Sequence, residues 1–427
     1  MSPPASPRRG ASARILADVD PPDVDIGFLD GELAGDVEAS LGAGFEAHAV
    51  FEGGETPDDV FRAALGRAIT AIAARDQDGL LPRFLRLGPY EREGPIPSRL
   101  AGKRLADDEV ARAIRFIHSS AINCFQGALA ELLAVGALAR LAKERFPGRR
   151  RPRLFVGDTV LAPQTGRRRW AKAADFHLLR RVGSGEVEVA AVAEVKSFCT
   201  SFERLAPQLS AHLARASRGL LVGGEEQATV SPRKPAGGPL RVAVVPDDWP
   251  LSRRFAYRVE DGRKYLQAEP TAVPRASDDA KHLGGDDWLV TLRWSQEALA
   301  SQAYDMTFWY MGELGRVTFA AEGLPRAWNG MTPEEAGCNA AKASLYYAVL
   351  RARTVREASR AIALYNSYGF GYALGASFLD RDGRREILFA EDLAEILATG
   401  RSRTKPVEVG GVVRPAPLCR IRGFDRA

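Results

Sequence analysis

The sequence predicts an α/β protein in which helices flank a mixed sheet. Three observations predict this class. Apolar residues recur with a helical period of about 3.6 residues over residues 107–146. The period then shortens to about 2 over residues 153–198, which is typical of strands. A further helix, ending near residue 217, and a strand over residues 240–245 complete the order α, β, β, β, α, β.

The composition is that of a folded globular chain. It has 427 residues, 45% of them hydrophobic and 26% charged, which excludes a disordered or collagen-like protein. Charges interrupt the apolar runs before the ~20 residues of a membrane span, so we expect no membrane partner. The four cysteines form no C-x-x-C pair and the five histidines are scattered, which argues against disulfides and thiolate zinc sites. Without a recognisable export signal, we predict a cytoplasmic protein.

The chain divides into four predicted parts. Residues 1–24 are expected to form a flexible tail and residues 25–106 an N-terminal helical extension. Residues 107–246 form the α/β core, and residues 250–427 form a C-terminal α+β region of unknown role. In the extension, Thr56 and the proline after it predict the start of a helix that ends near residue 75.

Turn residues set the bounds of the core elements. The long helix ends at Pro147, with a break expected near Ser119. Glycines and prolines separate the predicted strands, which cover residues 153–161, 172–182 and 186–198. Pro207 is expected in the first turn of the next helix. Beyond the core, we predict a strand over residues 288–294 and a helix that begins after Thr332.

The third strand carries the residues that point to chemistry. Its residues from Val187 to Val195 alternate, so that one face is apolar and Glu194 and Lys196 lie together on the other. On the preceding strand, Asp175 and Phe176 face opposite sides. Neighbouring strands are about 4.8 Å apart, so Asp175 and Glu194 converge if the register agrees.

A third carboxylate lies on the long helix. Glu131 has only apolar residues or glycine three and four positions away, so no partner for its charge lies on the same helix. Such a carboxylate requires a metal, a cation or a proton. Oxygen ligands from carboxylates and a carbonyl suit Mg²⁺, with Mn²⁺ as a substitute. Lys196 would then supply a point charge beside a reacting phosphate.

Together these residues resemble the PD-(D/E)XK nuclease superfamily, which has a restriction-endonuclease-like αβββαβ core. Asp175 matches the first acid of the motif, and Glu194-Val195-Lys196 matches the E-x-K. Glu131 matches the acid that many members carry on the preceding helix. Gln208 is similar to the helix glutamine of some subgroups, and His212 replaces the tyrosine that often follows it. Ala174 stands where the name of the family implies proline.

The resemblance implies a Mg²⁺-dependent DNA endonuclease whose core spans residues 107–246. Asp175, Glu194, Glu131 and the Val195 carbonyl would hold the metal, and Lys196 and Gln208 would complete the catalytic set. The resemblance also implies bacterial restriction or phage defence, or DNA repair, and a possible homodimer that cuts both strands. Two alternatives stay open: a nuclease fold that binds DNA or a partner without chemistry, and a nuclease gated by its C-terminal sensing region.

A cluster of basic residues within the core, from Arg145 to Lys172, predicts the DNA contacts. The cluster is an electrostatic match for phosphates, although a solvated charged surface is the plain alternative. The predicted DNA-binding residues are Arg150, Arg151, Arg167, Arg168, Arg169 and Lys172.

Plain structural roles are also open for the site residues. Glu194 and Lys196 could form an ion pair at the end of a sheet. Asp175 could be a turn acid, and Glu131 could bind an arginine of a neighbouring element.

Overall fold

The computed structural model describes most of the first 321 residues and short segments after them. The described residues are 29, 31–47, 56–76, 78–87, 107–148, 152–157, 159–163, 170–198, 200–223, 226–231, 238–246, 255–260, 263–268, 279–321, 332–338, 340–341, 344, 375–379, 385–389, 401–403 and 418–420. The predicted tail, 1–24, lies outside these ranges, as do five of the predicted DNA-binding arginines: Arg150, Arg151, Arg167, Arg168 and Arg169.

Among the described residues up to Ala216, there are six α-helices and one π-helical segment. The helices are α1 (Gly31–Ala47), α2 (Pro57–Arg75), α3 (Leu80–Leu87), α4 (Asp107–Phe116), the π segment (Ile117–Ala121), α5 (Ile122–Arg145) and α6 (Phe202–Ala216). A further long helix follows the strands described next.

Ten strands form the main sheet. They are β1 (Arg153–Val156), β2 (Val160–Pro163), β3 (Trp170–Lys172), β4 (Phe176–Gly183), β5 (Glu186–Val195), β6 (Leu220–Val222), β7 (Glu226–Val230), β8 (Leu240–Pro246), β11 (Asp279–Gly284) and β12 (Asp287–Leu292). A smaller sheet contains β9 (Phe255–Glu260), β10 (Arg263–Ala268) and β15 (Arg401–Arg403), and another contains β13 (Gly375–Leu379), β14 (Arg385–Phe389) and β16 (Leu418–Arg420). Helix α7 (Gln296–Ala321) follows β12.

The centre of the main sheet has the order β1-β4-β5-β8. β1 and β4 are antiparallel to their neighbours, whereas β8 runs parallel to β5. The fold is therefore α/β with a mixed sheet flanked by helices, as the sequence predicts. The sheet continues through β12, which is parallel to β8, so it extends past the predicted boundary after residue 246.

Helices cover both faces of the sheet. Phe176, Ala193 and Val244 belong to the core on the face that α5 covers. Val192 and Ala243 belong to a second core that contains the apolar residues of α6. The sheet therefore buries side chains on both faces, which is why β5 and β8 are apolar along most of their length.

The long predicted helix is nearly continuous, but it contains a π-helical segment. α4 runs into Ile117–Ala121 and then into α5, so the irregularity surrounds Ser119, where a break was expected. Among the described residues, the stretch Arg112–Arg145 is long and apolar enough to cross a membrane by length and composition. Most of its apolar window is buried inside the fold, as in the core helix of a soluble protein.

Two of the predicted strands are each divided in the structure. The segment 153–161 contains β1 and the start of β2, because the chain turns at residues 156–159, where the Thr159 N–H donates to the Val156 carbonyl at 3.0 Å. The segment 172–182 contains the end of β3 and most of β4, with residues 173–175 outside both strands. β1 pairs with β4, whereas β2 pairs with β3 and β6, so the region is more complex than the predicted meander.

Helix α6 begins earlier than predicted, which changes the position of Pro207. The helix starts at Phe202, with Ser201 as its N-cap residue, so Pro207 lies in the helix interior rather than in its first turn. Proline there removes one backbone hydrogen bond of the helix. The residue is exposed, so the carbonyl that loses its partner lies on the solvent side of the helix.

A β-bulge in β5 corrects the predicted alternation. Leu178 pairs with Ala191 and Leu179 pairs with Val189, so Ala190 is an extra residue in β5. The apolar residues before and after the bulge therefore face opposite sides: Val189 packs with the core of α6, and Ala193 with the core of α5. The single apolar face predicted from Val187 to Val195 is wrong for this reason.

Candidate active site

Asp175 and Glu194 lie opposite each other at the ends of two neighbouring strands. Phe176, the first residue of β4, pairs with Ala193 of β5, so the register places Asp175 opposite Glu194. Both residues are buried, at 8% and 4% exposure. The register on which the predicted convergence depends is therefore present, and two carboxylates lie at one buried edge.

Three side chains surround the carboxylate of Glu194. The Lys196 Nζ donates to its Oε1 at 2.6 Å, and the Gln208 Nε2 donates to the same oxygen. The His212 Nε2 lies 3.3 Å from its Oε2. Since Gln208 and His212 are four residues apart on α6, they lie on one face of that helix and reach the strand together.

These contacts keep Glu194 ionised despite its burial. Burial alone raises the pKa of a carboxyl group, because the charged form loses its hydration. At Glu194 the contacts with His212 and Lys196 outweigh that effect and lower the pKa to about 2. At neutral pH the Glu194 carboxylate is therefore buried and negatively charged. In this state it can bind a metal cation or form an ion pair with a protonated basic group.

Asp175 is held by the backbone of β5 and by a second lysine. Its Oδ2 accepts a hydrogen bond from the Val195 N–H at 2.8 Å. Its Oδ1 lies 2.6 Å from the Lys172 Nζ. The first bond ties Asp175 to the E-x-K segment, and the second balances its charge.

Glu131 reaches the same lysine from α5. Its Oε1 lies 3.9 Å from the Lys172 Nζ, and its side chain is 29% exposed. Lys172 therefore lies between the helix acid and the strand acid. The cation that the sequence required for Glu131 is, in this structure, an ammonium group of the chain itself.

His177 is a buried neighbour that sequence analysis missed. It follows Asp175 by two residues in β4, so it lies on the same face of the strand. It is fully buried, and neither ring nitrogen has a hydrogen-bond partner among the described residues. Burial, followed by the charges of His212 and Lys172, lowers its pKa to about 3, so it is neutral at pH 7. The two-residue period of a strand could have identified His177, because it places this residue on the same face as Asp175.

Gly157 leaves room for the lysine between the acids. A Cβ atom there would lie 2.5 Å from the Lys172 Cε and 2.5 Å from the Ala174 carbonyl oxygen. The turn between β1 and β2 therefore packs directly against the segment that carries Lys172 and Asp175. No local sequence pattern marks this glycine, because its role depends on a neighbour in space.

A buried glutamine of α5 fixes the segment after Lys196. The Gln126 Nε2 donates to the Ser197 carbonyl at 2.6 Å and lies 3.4 Å from the Gln296 carbonyl oxygen. It thereby connects α5, the end of the E-x-K segment and the start of α7. The residues after β5 are held by a side chain rather than by the sheet alone.

The oxygen donors of the site are of the chemical type that a hard divalent cation prefers. Asp175, Glu194 and Glu131 offer carboxylate oxygens, and the Val195 carbonyl would add another, which is the ligand class of Mg²⁺. In the part of the chain that the structure describes, no group of three or more His, Cys, Asp or Glu side chains is spaced as a metal site. The carboxylates are instead paired with Lys172 and Lys196, whose ammonium groups stand where a cation is needed.

Of the predicted DNA-binding residues, only Lys172 lies in the described ranges. Its side chain is 45% exposed, and its amine is bound to Asp175. A role for this lysine in contacting phosphate remains a prediction. Its exposed stem allows the amine to turn toward solvent, where a phosphate would lie.

Comparison of the chain with family models, curated proteins and solved structures found no match.

Proposed function

We propose that the chain is a Mg²⁺-dependent DNA endonuclease of the PD-(D/E)XK type. The observation that carries this proposal is the register that places Asp175 opposite Glu194 at the ends of two antiparallel strands, with the Lys196 amine 2.6 Å from Glu194. A plain ion pair would account for Glu194 and Lys196 alone. It would not account for a second buried acid opposite them or for a helix acid that shares its lysine.

The topology around the site supports the same proposal. A helix precedes three antiparallel strands in the sheet order β1-β4-β5, and a second helix leads to β8, parallel to β5. With β2, β3, β6 and β7 regarded as insertions, this order is the αβββαβ order that the resemblance implies, which supports the proposal. Asp175 and Glu194 lie at the ends of β4 and β5, two strands of that order.

Asp175, Glu194 and the Val195 carbonyl would hold the metal ion, and Glu131 would complete or orient its surroundings. When bound, Mg²⁺ polarises the scissile phosphate and makes water a better nucleophile. The chain itself contributes orientation: the Val195 N–H fixes Asp175, and Gln208 and His212 fix Glu194. Such positioning matters because small displacements of catalytic groups cost much of the rate.

Lys196 supplies the amine of the site. One of its three protons is used by Glu194, so two remain for a water molecule and for a phosphate oxygen. Its positive charge stabilises the negative charge that develops on the phosphate as the bond to the leaving oxygen lengthens. The Lys196 side chain is 23% exposed, so part of it is accessible to solvent.

The proposal is tested by cleavage of supercoiled, linear and single-stranded DNA. We expect cleavage with Mg²⁺ or Mn²⁺, none with EDTA, and a loss of about 10²-fold or more in Lys196→Ala. Lys143→Ala, which changes an exposed lysine at the end of α5, should cut like the wild type. Activity retained by Lys196→Ala, or wild-type inactivity on all three substrates, would overturn the proposal.

The pairing of both acids with lysines favours a second candidate, a nuclease-like platform that binds DNA without cutting it. In that case Lys172 and Lys196 are permanent counter-ions of Asp175 and Glu194. The platform would bind DNA with a strong dependence on salt concentration, because its affinity would come from cations against phosphates. DNA binding that neither Mg²⁺ nor Asp175→Asn alters, together with inactivity of the wild type, would establish it.

A further inference from the structure

We propose that Lys172 is an internal counter-ion that competes with the metal ion for Asp175 and Glu131, and that a DNA phosphate draws it away. This inference rests on the proposed nuclease function. It adds a regulatory property to the site: the free protein binds divalent cations weakly, and DNA strengthens that binding.

The contacts of the lysine carry the first step. Its amine lies 2.6 Å from Asp175 Oδ1 and 3.9 Å from Glu131 Oε1, so it bridges the strand acid and the helix acid. These are two of the acids that would serve a divalent cation. A cation at Asp175 and an ammonium group in contact with the same carboxylate repel each other, and low local polarity strengthens that repulsion.

The position of the lysine in the fold carries the second step. Lys172 is the last residue of β3, a three-residue strand at the end of the main sheet order. Its side chain is 45% exposed, in contrast to 10% for Asp175. The amine can therefore leave the acids by rotation of its stem, without movement of the buried residues.

Gly157 contributes to the same arrangement. It has no side chain where one would meet the Lys172 stem, so the stem passes the β1–β2 turn to reach Asp175. The space at Gly157 therefore gives the Lys172 stem a defined path to Asp175.

The direction in which it would move follows from charge. A DNA phosphate beside β3 attracts the exposed lysine, and its departure removes the charge that competes with the metal ion at Asp175 and Glu131. By thermodynamic linkage, if DNA raises the affinity for the metal, the metal raises the affinity for DNA by the same factor. A nuclease with this property holds its metal mainly on substrate.

The test measures Mn²⁺ binding to the full chain by electron paramagnetic resonance, with no cleavage required. Without DNA, Lys172→Gln should bind Mn²⁺ about ten-fold more tightly than the wild type, since the competing charge is gone. Lys172→Arg keeps the charge and should stay near the wild type, and so should Lys143→Gln. A short phosphorothioate duplex, which resists hydrolysis, should raise the Mn²⁺ affinity of the wild type and have little effect on that of Lys172→Gln.

The outcomes separate this inference from the proposed function. If Asp175→Asn abolishes Mn²⁺ binding but Lys172→Gln binds no more tightly than the wild type, the counter-ion role is wrong and the metal site stands. If Asp175→Asn leaves Mn²⁺ binding unchanged in every background, the metal is not held here, and both fail. Thermal unfolding of each variant identifies any that has lost its fold.

Discussion

At the scale of single residues, the charge of Glu194 is the central feature of the candidate site. The carboxyl is buried, yet it is kept ionised by Lys196, which directly follows β5, and by His212 of α6. Two separate elements must therefore be in place before the acid is charged at low cost. The low pKa of Glu194 therefore requires that β5 and α6 are assembled correctly.

This dependence predicts how stability changes with pH. The pKa of Glu194 is about 2 in the folded chain and near 4.5 in the unfolded chain, so its charge stabilises the fold above pH 4.5. That stabilisation is lost as the pH falls toward 2. Glu194→Gln should lower the free energy of unfolding at pH 7 by on the order of 3 kcal/mol, and by much less at pH 3.

Urea denaturation of the wild type and Glu194→Gln between pH 7 and pH 3 checks this expectation. Glu186→Gln, at the other end of β5, is the matched control and should show a small, nearly constant difference. A deficit of Glu194→Gln that does not shrink on acidification would contradict the assigned interactions.

A glycine tests the packing behind the site. Gly157→Ala places a methyl group 2.5 Å from both the Ala174 carbonyl oxygen and the Lys172 Cε. Because the carbonyl belongs to the backbone next to Asp175, we expect a loss of stability of about 1–3 kcal/mol and slower cleavage. Gly35→Ala, in open space on α1, is the control, and the two are compared by thermal unfolding and by cleavage rate. Wild-type stability and a wild-type cleavage rate for both variants would contradict close packing of the β1–β2 turn against the segment that carries Asp175.

Sequence analysis found the residues of the site but not all of their partners. Lys196 and Gln208 contact Glu194, and the strand register places Asp175 opposite Glu194; the role of these residues as a site remains a prediction. Lys172 was assigned to DNA, since its bond to Asp175 depends on the irregular segment 173–175, where sequence analysis predicted a continuous strand.

At the scale of elements, one extra residue decides which side chains share a face. The bulge at Ala190 reverses the alternation of β5, so Glu188 lies on the face opposite Glu194. There Glu188 is bound by Arg180, whose Nη2 lies 2.9 and 2.8 Å from its two oxygens. The sequence alternates evenly through this strand, so periodicity alone placed both acids on one face.

Glycines also allow a close contact between α7 and the helical residues 333–338. A Cβ on Gly337 would clash with the Met311 carbonyl of α7, and a Cβ on Gly315 would clash with the Pro333 carbonyl. The backbone of α7 therefore lies directly against the helix that Thr332 and Glu335 cap. The predicted capping box is present, but the close approach could not be inferred from either segment alone.

This contact predicts opposite effects of two glycine substitutions. Gly337→Ala should destabilise the protein by about 1–3 kcal/mol, because the atom that it meets is backbone and cannot rotate away. Gly127→Ala lies in α5 with open space around it and should stabilise by about 0.5–1 kcal/mol through helix propensity. Differential scanning calorimetry of both variants measures the two shifts, and equal shifts would contradict the close approach.

At the scale of the whole molecule, the main sheet joins regions that the sequence analysis separated. Arg241 of β8 forms a two-bond ion pair with Asp287 of β12, at 2.7 and 2.9 Å, and also donates to Ser210 of α6 at 2.7 Å. The division after residue 246 remains a prediction, although the sheet extends across it. Sequence analysis missed this because the pairing of β12 with β8 is nonlocal and leaves no periodic signal.

The architecture explains why the site lies where it does. α5 brings Glu131 and Gln126 to one side of the sheet end, and α6 brings Gln208 and His212 to the other. Both helices cover apolar strand faces, so burial of the core and assembly of the site occur together. The class and order of these elements followed from composition and period, whereas the inserted strands β6 and β7 did not.

The most direct test of the central claim is the single-turnover rate of DNA cleavage by Asp175→Asn. The asparagine oxygen can still accept the Val195 N–H, so the fold should be kept while the negative charge is lost. We expect the Mg²⁺-dependent rate to fall by about 10²-fold or more, with Glu186→Gln close to the wild type. A folded Asp175→Asn protein that cuts DNA at the wild-type rate would contradict a metal-dependent nuclease site at this sheet edge.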